Sequence, residues 1–145
     1  MQPFRYLLRV RYGECDAQGI VYNARWADYV DLAASEFTRA LFGSITAMDL
    51  KLVKLSIEWR GSARFDDVLE LRVSTLRVGT TSFETSTELA RFPDGAVLAT
   101  ATTIYVAVDV SGAKRAIAAD ERAKLLAGAV DVTVDHAGVT SGRTG

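Results

Sequence analysis

One stretch of helical periodicity stands among segments that otherwise alternate, and this limits the folds open to the chain. From about Arg25 to Phe42, the residues Trp26, Tyr29, Val30, Ala33, Phe37, Ala40 and Leu41 recur at steps of three and four. That spacing predicts one amphipathic helix. Gly43 stands where its C-terminal cap belongs. Around it the period is two. Phe4, Tyr6, Leu8, Val10 and Tyr12 alternate with Arg5, Arg9 and Arg11, which predicts a half-buried strand. In "VKLSIEWR", Val53, Leu55, Ile57 and Trp59 alternate with Lys54, Ser56, Glu58 and Arg60. In "VLELRVSTLRV", Leu69, Leu71 and Val73 alternate with Glu70, Arg72 and Ser74. "TSFETSTELAR" is a thinner, threonine-rich strand. The turn Pro93-Asp94-Gly95 joins it as a hairpin to "AVLATATTIYVAV", apolar on both faces as a central strand would be. A short helix is expected from about Asp120 to Ala127, with Gly128 as its stop.

The order is therefore strand, long helix, four strands, short helix. Strands joined by short turns are mostly antiparallel, and the long helix must lie across one face of their sheet. The expected class is α+β. Residues 1–128 form one domain in this reading, and residues 129–145, rich in Gly, Thr and Ser after Val134, form a flexible tail. The helix is very apolar for one that covers only a sheet, and the sheet edges need protection. Both points favour a homodimer, against the alternative of a monomer with a large core.

Composition excludes several chemistries. The chain has 145 residues, 17 Lys plus Arg against 18 Asp plus Glu, a formal charge of −1. It shows no electrostatic footprint of a nucleic-acid binder. No apolar run approaches the roughly 18 residues of a membrane span, and no signal-peptide core is visible. With Cys15 alone, no intramolecular disulfide can form, and a reducing, cytoplasmic setting is expected. His136, the single histidine, falls in the expected tail. One His and one Cys cannot build a Cys/His metal site, and they make a Ser-His-Asp or Cys-His nucleophile system improbable. No metal and no cofactor is expected. Carboxylates, hydroxyls and backbone groups remain.

Asp16 is the carboxylate that stands out. It lies in the loop "GECDAQG", which ends at Gly19 and leads through Ile20, Val21 and Tyr22 to the helix. On spacing alone it could be an ordinary turn residue. Asn23 could serve as the helix N-cap. Tyr22 and Trp26 could line a pocket or fill a core. Alternation points Cys15 away from Asp16, as a buried, inert thiol. Asp66 and Asp67 read as a turn before a strand.

"GECDAQGIVYNARW", in this order of elements, resembles the hotdog-fold thioesterases, in the branch of hydroxybenzoyl-CoA and short-chain acyl-CoA thioesterases. The family pattern D-x-x-G-h-V-(aromatic) reads here as Asp16, Gly19, Ile20, Val21 and Tyr22. A second segment reads "ARFDDVLEL", and a third "GTTSFET". The resemblance spans roughly residues 4–127 and implies a hotdog fold, an antiparallel sheet wrapped around one long central helix. It implies hydrolysis of acyl-CoA or acyl-carrier-protein thioesters in a homodimer or homotetramer with active sites at the subunit interface. Asp16 would be nucleophile or general base, and the backbone N–H of Asn23, alone or with that of Tyr22, would polarise the carbonyl. Gly19, Val21, Tyr22 and Trp26 would be substrate-binding.

The chain also departs from the pattern. Asn23 stands where one bacterial branch has histidine; it can hydrogen-bond but cannot take a proton. Gly79, Thr80 and Thr81 replace a basic cluster that grips CoA phosphates, leaving Arg60, Arg64, Arg77 and Arg91 as candidates. Asp31 keeps the offset of a residue that reads a substrate phenol. At about 100° per residue it lies about 140° from Trp26, off the stripe, as a solvated residue would. On the same count Glu36 lies at the stripe's border, about 280° from Trp26, within reach of a partner chain. The competing functions are a hotdog hydratase or dehydratase, which would pair His with a carboxylate, and a non-catalytic acyl-thioester binding module.

Overall fold

The structure is a computed structural model and describes residues 1–139. The elements are β1 (Phe4–Arg9), a 3-10 turn (Tyr12–Glu14), α1 (Arg25–Phe42), β2 (Leu50–Trp59), β3 (Val68–Val78), β4 (Ser82–Phe92), β5 (Val97–Ala107), α2 (Ala119–Ala127) and β6 (Thr133–Asp135). They form a six-stranded sheet in the order β2-β5-β4-β3-β1-β6. The expected strands and both helices are present. α1 ends at Gly43, whose φ of 84° is the left-handed conformation that suits glycine as a helix stop.

The sheet is not purely antiparallel. β6 runs parallel to β1, with Arg5 opposite Thr133 and Leu7 opposite Asp135. This alters the expectation of a flexible tail from residue 129. The Tyr6 hydroxyl is hydrogen-bonded to Nδ1 of His136 at 2.9 Å, and the two rings meet edge to face. The sequence hides this because β6 is three residues long, too short for a readable period. Residues 140–145 of the expected tail lie outside the described residues.

α1 packs against β1 and β3 on one face of the sheet. Its buried side chains are Trp26, Tyr29, Val30, Ala33 and Phe37. They meet Phe4, Tyr6, Leu8 and Val10 from the β1 segment and Leu69, Leu71 and Val73 from β3 in one core. Ala40, expected on the stripe, is exposed. So is Tyr12, at 79%. The strand ends at Arg9, and the 3-10 turn swings Tyr12 out of the alternation. A smaller core of Met48, Phe83, Ala107, Ile117 and Leu125 seats α2 at the other end of the sheet. β5 lies between β2 and β4, as its two apolar faces predict.

β2 is a sheet edge ten residues long. Leu52, Val53 and Trp59 are 53%, 56% and 45% exposed along it. Among the described residues no helix is long and apolar enough to cross a membrane.

Candidate active site

The loop between β1 and α1 closes on itself. Cys15 bridges Val21 in antiparallel fashion, and Ile20 bridges Arg64 from the segment before β3. The Asp16 N–H donates to the Ile20 carbonyl at 2.8 Å, and the Gly19 N–H to the Asp16 carbonyl at 3.0 Å. Gly19 sits at φ 78°, which explains glycine at this point of the motif. Asp16 Oδ1 accepts the N–H of Gln18 at 2.8 Å, an Asx turn that fixes the side chain. The residue is exposed, so its other oxygen remains open to solvent.

The start of α1 differs from expectation. Ala24, not Asn23, is the N-cap residue, with no side-chain cap. The first helical bonds run from the Arg25 N–H to Tyr22 and from the Trp26 N–H to Asn23. The N–H groups of Asn23 and Ala24 have no acceptor among the described residues. They lie at the positive end of the helix and are free to meet an oxyanion.

Of the expected substrate-binding residues, Trp26 and Val21 are core, 2% and 3% exposed, while Tyr22 is 57% exposed. Asp16 lies in a cleft of about 360 Å³ whose walls include Tyr12, Gly13, Cys15, Gly19 and Phe65. Asn23, Tyr22 and Trp26 do not line that cleft. Cys15 is half-buried rather than buried. Burial and the nearby charges of Glu14, Asp16 and Asp67 push its thiol up, so the inert state is favoured.

The candidate cations divide into two kinds. Arg77 is within 3.5 Å of Glu84, and Arg91 within 3.1 Å of Asp94. Arg60 and Arg64 are exposed, and their guanidinium groups have no partner among the described residues. Glu36 is 3.1 Å from Arg39. Asp31 is exposed and lines a second cavity of about 250 Å³ between α1 and the sheet, with Ser35, Phe37, Val73, Phe83 and Tyr105. Burial and the Asp31 charge push the Tyr105 phenol up to about 12.

Glu14 is the group the sequence did not mark. It is 8% exposed. Its carboxylate accepts from the Arg11 N–H at 2.8 Å, the Arg11 Nε at 2.8 Å and the Tyr29 hydroxyl at 2.9 Å. Its carbonyl accepts the Tyr22 N–H at 3.0 Å. Burial pushes its carboxyl up, but these hydrogen bonds and the Arg11 charge outweigh it and hold the carboxyl below the ordinary value. Burial, then the bond to Glu14, pushes the Tyr29 phenol up. A single acidic residue at a strand end looks like any solvated loop carboxylate. Only the aromatic positions of α1, read together with it, hint at a partner.

His136 and Glu14 line one cavity with Tyr6 and Arg11. That brings the histidine into the folded body, against expectation. The Glu14 oxygens are already held by Arg11 and Tyr29, and Nδ1 of His136 by Tyr6.

The fold and loop define a class. The thioesterase superfamily model matches residues 18–98, and the chain belongs to that family. The match begins two residues after Asp16. The acyl-CoA thioester hydrolase YbgC of Escherichia coli is 32% identical over 84 residues, covering 54% of this chain and 63% of that protein. The chain thus spans less than two thirds of that relative's length. Among solved structures, a hypothetical protein of Aquifex aeolicus, AQ1494, superposes with a TM-score of 0.78 at 25% identity, covering 85% of this chain and 99% of that one. The gentisyl-coenzyme A thioesterase BH1999 superposes with a TM-score of 0.75 at 22% identity, covering 81% of this chain and 98% of that one. The latter likeness speaks for the fold alone.

Proposed function

We propose that the chain hydrolyses acyl-CoA or acyl-carrier-protein thioesters to free acid and thiol. The observation that carries this reading is the placement of two groups on one short loop. An exposed carboxylate is fixed by an Asx turn at Asp16, and free N–H groups stand at Asn23 and Ala24 where α1 begins. A thioester needs little more. Sulfur donates poorly into the carbonyl, and thiolate is a fair leaving group near neutral pH. Asp16 either attacks the carbonyl carbon, expelling thiolate and leaving an anhydride for water to open, or takes the proton of an attacking water. The Asn23 N–H holds the developing oxyanion. No proton need pass through the Asn23 side chain.

The same reading makes the protein a homodimer, or a dimer of dimers, with the helix central between joined sheets. The long open β2 edge and its exposed Leu52, Val53 and Trp59 support this.

The test is thiol release from a panel of aliphatic and aromatic acyl-CoAs, with wild type and Asp16→Asn side by side. The expected result is turnover by the wild type and a loss of about 100-fold or more in the variant, with unchanged circular dichroism. Near-normal turnover by Asp16→Asn would remove that residue from the chemistry. Acyl-CoA binding without thiol release would favour the non-catalytic binding module.

A further inference from the structure

The Asp16 cleft has an aromatic wall that the proposed chemistry does not use. Tyr12 and Phe65 meet edge to face, with ring centroids 5.9 Å apart. They are 79% and 54% exposed, from two segments far apart in the chain, and both line the cleft beside Asp16. Two large rings held together on the surface are costly to leave in water. Gly13 and Gly19 also line the cleft, and a Cβ placed on either would meet nothing within 4 Å.

From the structure we infer that this trench seats the phosphopantetheine arm on the thiol side of the substrate, with Tyr12 and Phe65 along the arm and Arg64 at its phosphate. This rests on the proposed thioesterase reading and says which half of the substrate lies where.

Two observations select the thiol side over the acyl side. Arg64 adjoins Phe65 in sequence, is tied through its backbone bridge to Ile20 of the Asp16 loop, and has a guanidinium with no partner among the described residues. An acyl chain has no use for that cation, whereas a phosphate does. The trench is open at the surface, as a long polar-ended arm requires. A separate cavity between α1 and the sheet, lined by Phe37, Met48, Val73 and Phe83 together with Asp31 and Ser35, shares no wall residue with the trench. The phosphopantetheine arm is common to CoA and to acyl-carrier proteins, so the trench serves either source.

The experiment compares three thioesters of one acyl group: acyl-CoA, acyl-phosphopantetheine and acyl-N-acetylcysteamine, the last lacking most of the arm. For Phe65→Ala and Tyr12→Ala, the ratio of kcat/KM for acyl-CoA to that for the truncated thioester should fall about tenfold, the scale of a lost apolar contact in a binding site. The same fall with acyl-phosphopantetheine would place the gain in the arm. A fall confined to acyl-CoA would place it in the nucleotide and overturn the assignment. Arg64→Ala should lower the ratio for both phosphate-bearing substrates. An unchanged ratio, whether both rates fall together or neither does, would overturn the proposal. So would a change of assembly state by light scattering in Phe65→Ala, which would mark the ring pair as a contact between copies. If the wild type cleaves none of the three, the thioesterase reading has failed, and CoA titrated by calorimetry then decides the trench. Affinity weakened about tenfold by Phe65→Ala would uphold it, and equal affinity would overturn it.

Discussion

The Tyr29 hydroxyl donates to the buried carboxylate of Glu14 at 2.9 Å, joining the second turn of α1 to the 3-10 turn that precedes the Asp16 loop. Glu14 in turn holds Arg11 through its N–H and its guanidinium, and its carbonyl holds the Tyr22 N–H. The end of the β1 segment, the loop and the helix start are thus fastened at one residue. Asp16 is two positions along the chain and Asn23 is one past Tyr22. The carboxylate that fixes the loop is separate from the one proposed to react.

Tyr29→Phe removes one donor and leaves a buried charged acceptor short of a partner. We expect a loss of about 1–3 kcal/mol in unfolding free energy, read from urea denaturation. Turnover should fall as well, because the same bond sets the distance between the loop and the helix start. Wild-type stability in this variant would show that Arg11 alone satisfies Glu14.

Acid should release the same fastening. The Glu14 carboxyl is held below its ordinary value of 4.5 by its hydrogen bonds and Arg11, against the opposing effect of burial. A depressed folded-state value means that the stabilisation is fully present above 4.5 and is lost as pH falls below it. Urea midpoints measured from neutral pH downward should fall more steeply in the wild type than in Glu14→Gln. Parallel curves would assign the acid loss to other carboxylates, such as Glu121, which Arg115 also holds low.

Trp26 and Tyr22 separate packing from recognition. Trp26 is 2% exposed and Tyr22 57%. Trp26→Ala should cost about 3–5 kcal/mol through the cavity it leaves. Tyr22→Ala should change stability by no more than about 0.5 kcal/mol. If Tyr22 touches substrate, its truncation shows in KM instead. The comparison needs one denaturation series and one kinetic series on the same two proteins.

The β2 edge gives a prediction about assembly. Val53 is 56% exposed on the strand that has β5 on one side and, among the described residues, no neighbour on the other. Val53→Lys places a charge where a second sheet would pair. Light scattering should show a smaller particle than the wild type, with the far-ultraviolet spectrum of the protomer retained and turnover reduced. An unchanged mass would mean that copies meet elsewhere.

The chain by itself settled whatever depends on local periodicity. Steps of three and four fix α1 from Arg25 to Phe42, because the helix repeat sorts Trp26, Tyr29, Val30, Ala33 and Phe37 onto one side. Alternation fixes the strands, and glycine marks the points where φ is positive, at Gly19 and Gly43. The Asp16 loop was legible for the same reason, since turn chemistry is written in adjacent residues. Tertiary structure decided what depends on residues distant in sequence. β6 pairs with β1 across some 130 positions, and three residues carry no period to announce it. Whether Glu14 was solvated or buried hung on Tyr29 arriving from the helix, and a carboxylate's burial is set by its partners rather than by its neighbours in the chain. Tyr12 and Phe65 are in contact only because the chain between them crosses the sheet and returns. Among the described residues the Arg60 and Arg64 guanidinium groups have no partner, while Arg77 and Arg91 are paired, because ion pairs follow geometry that composition does not hold.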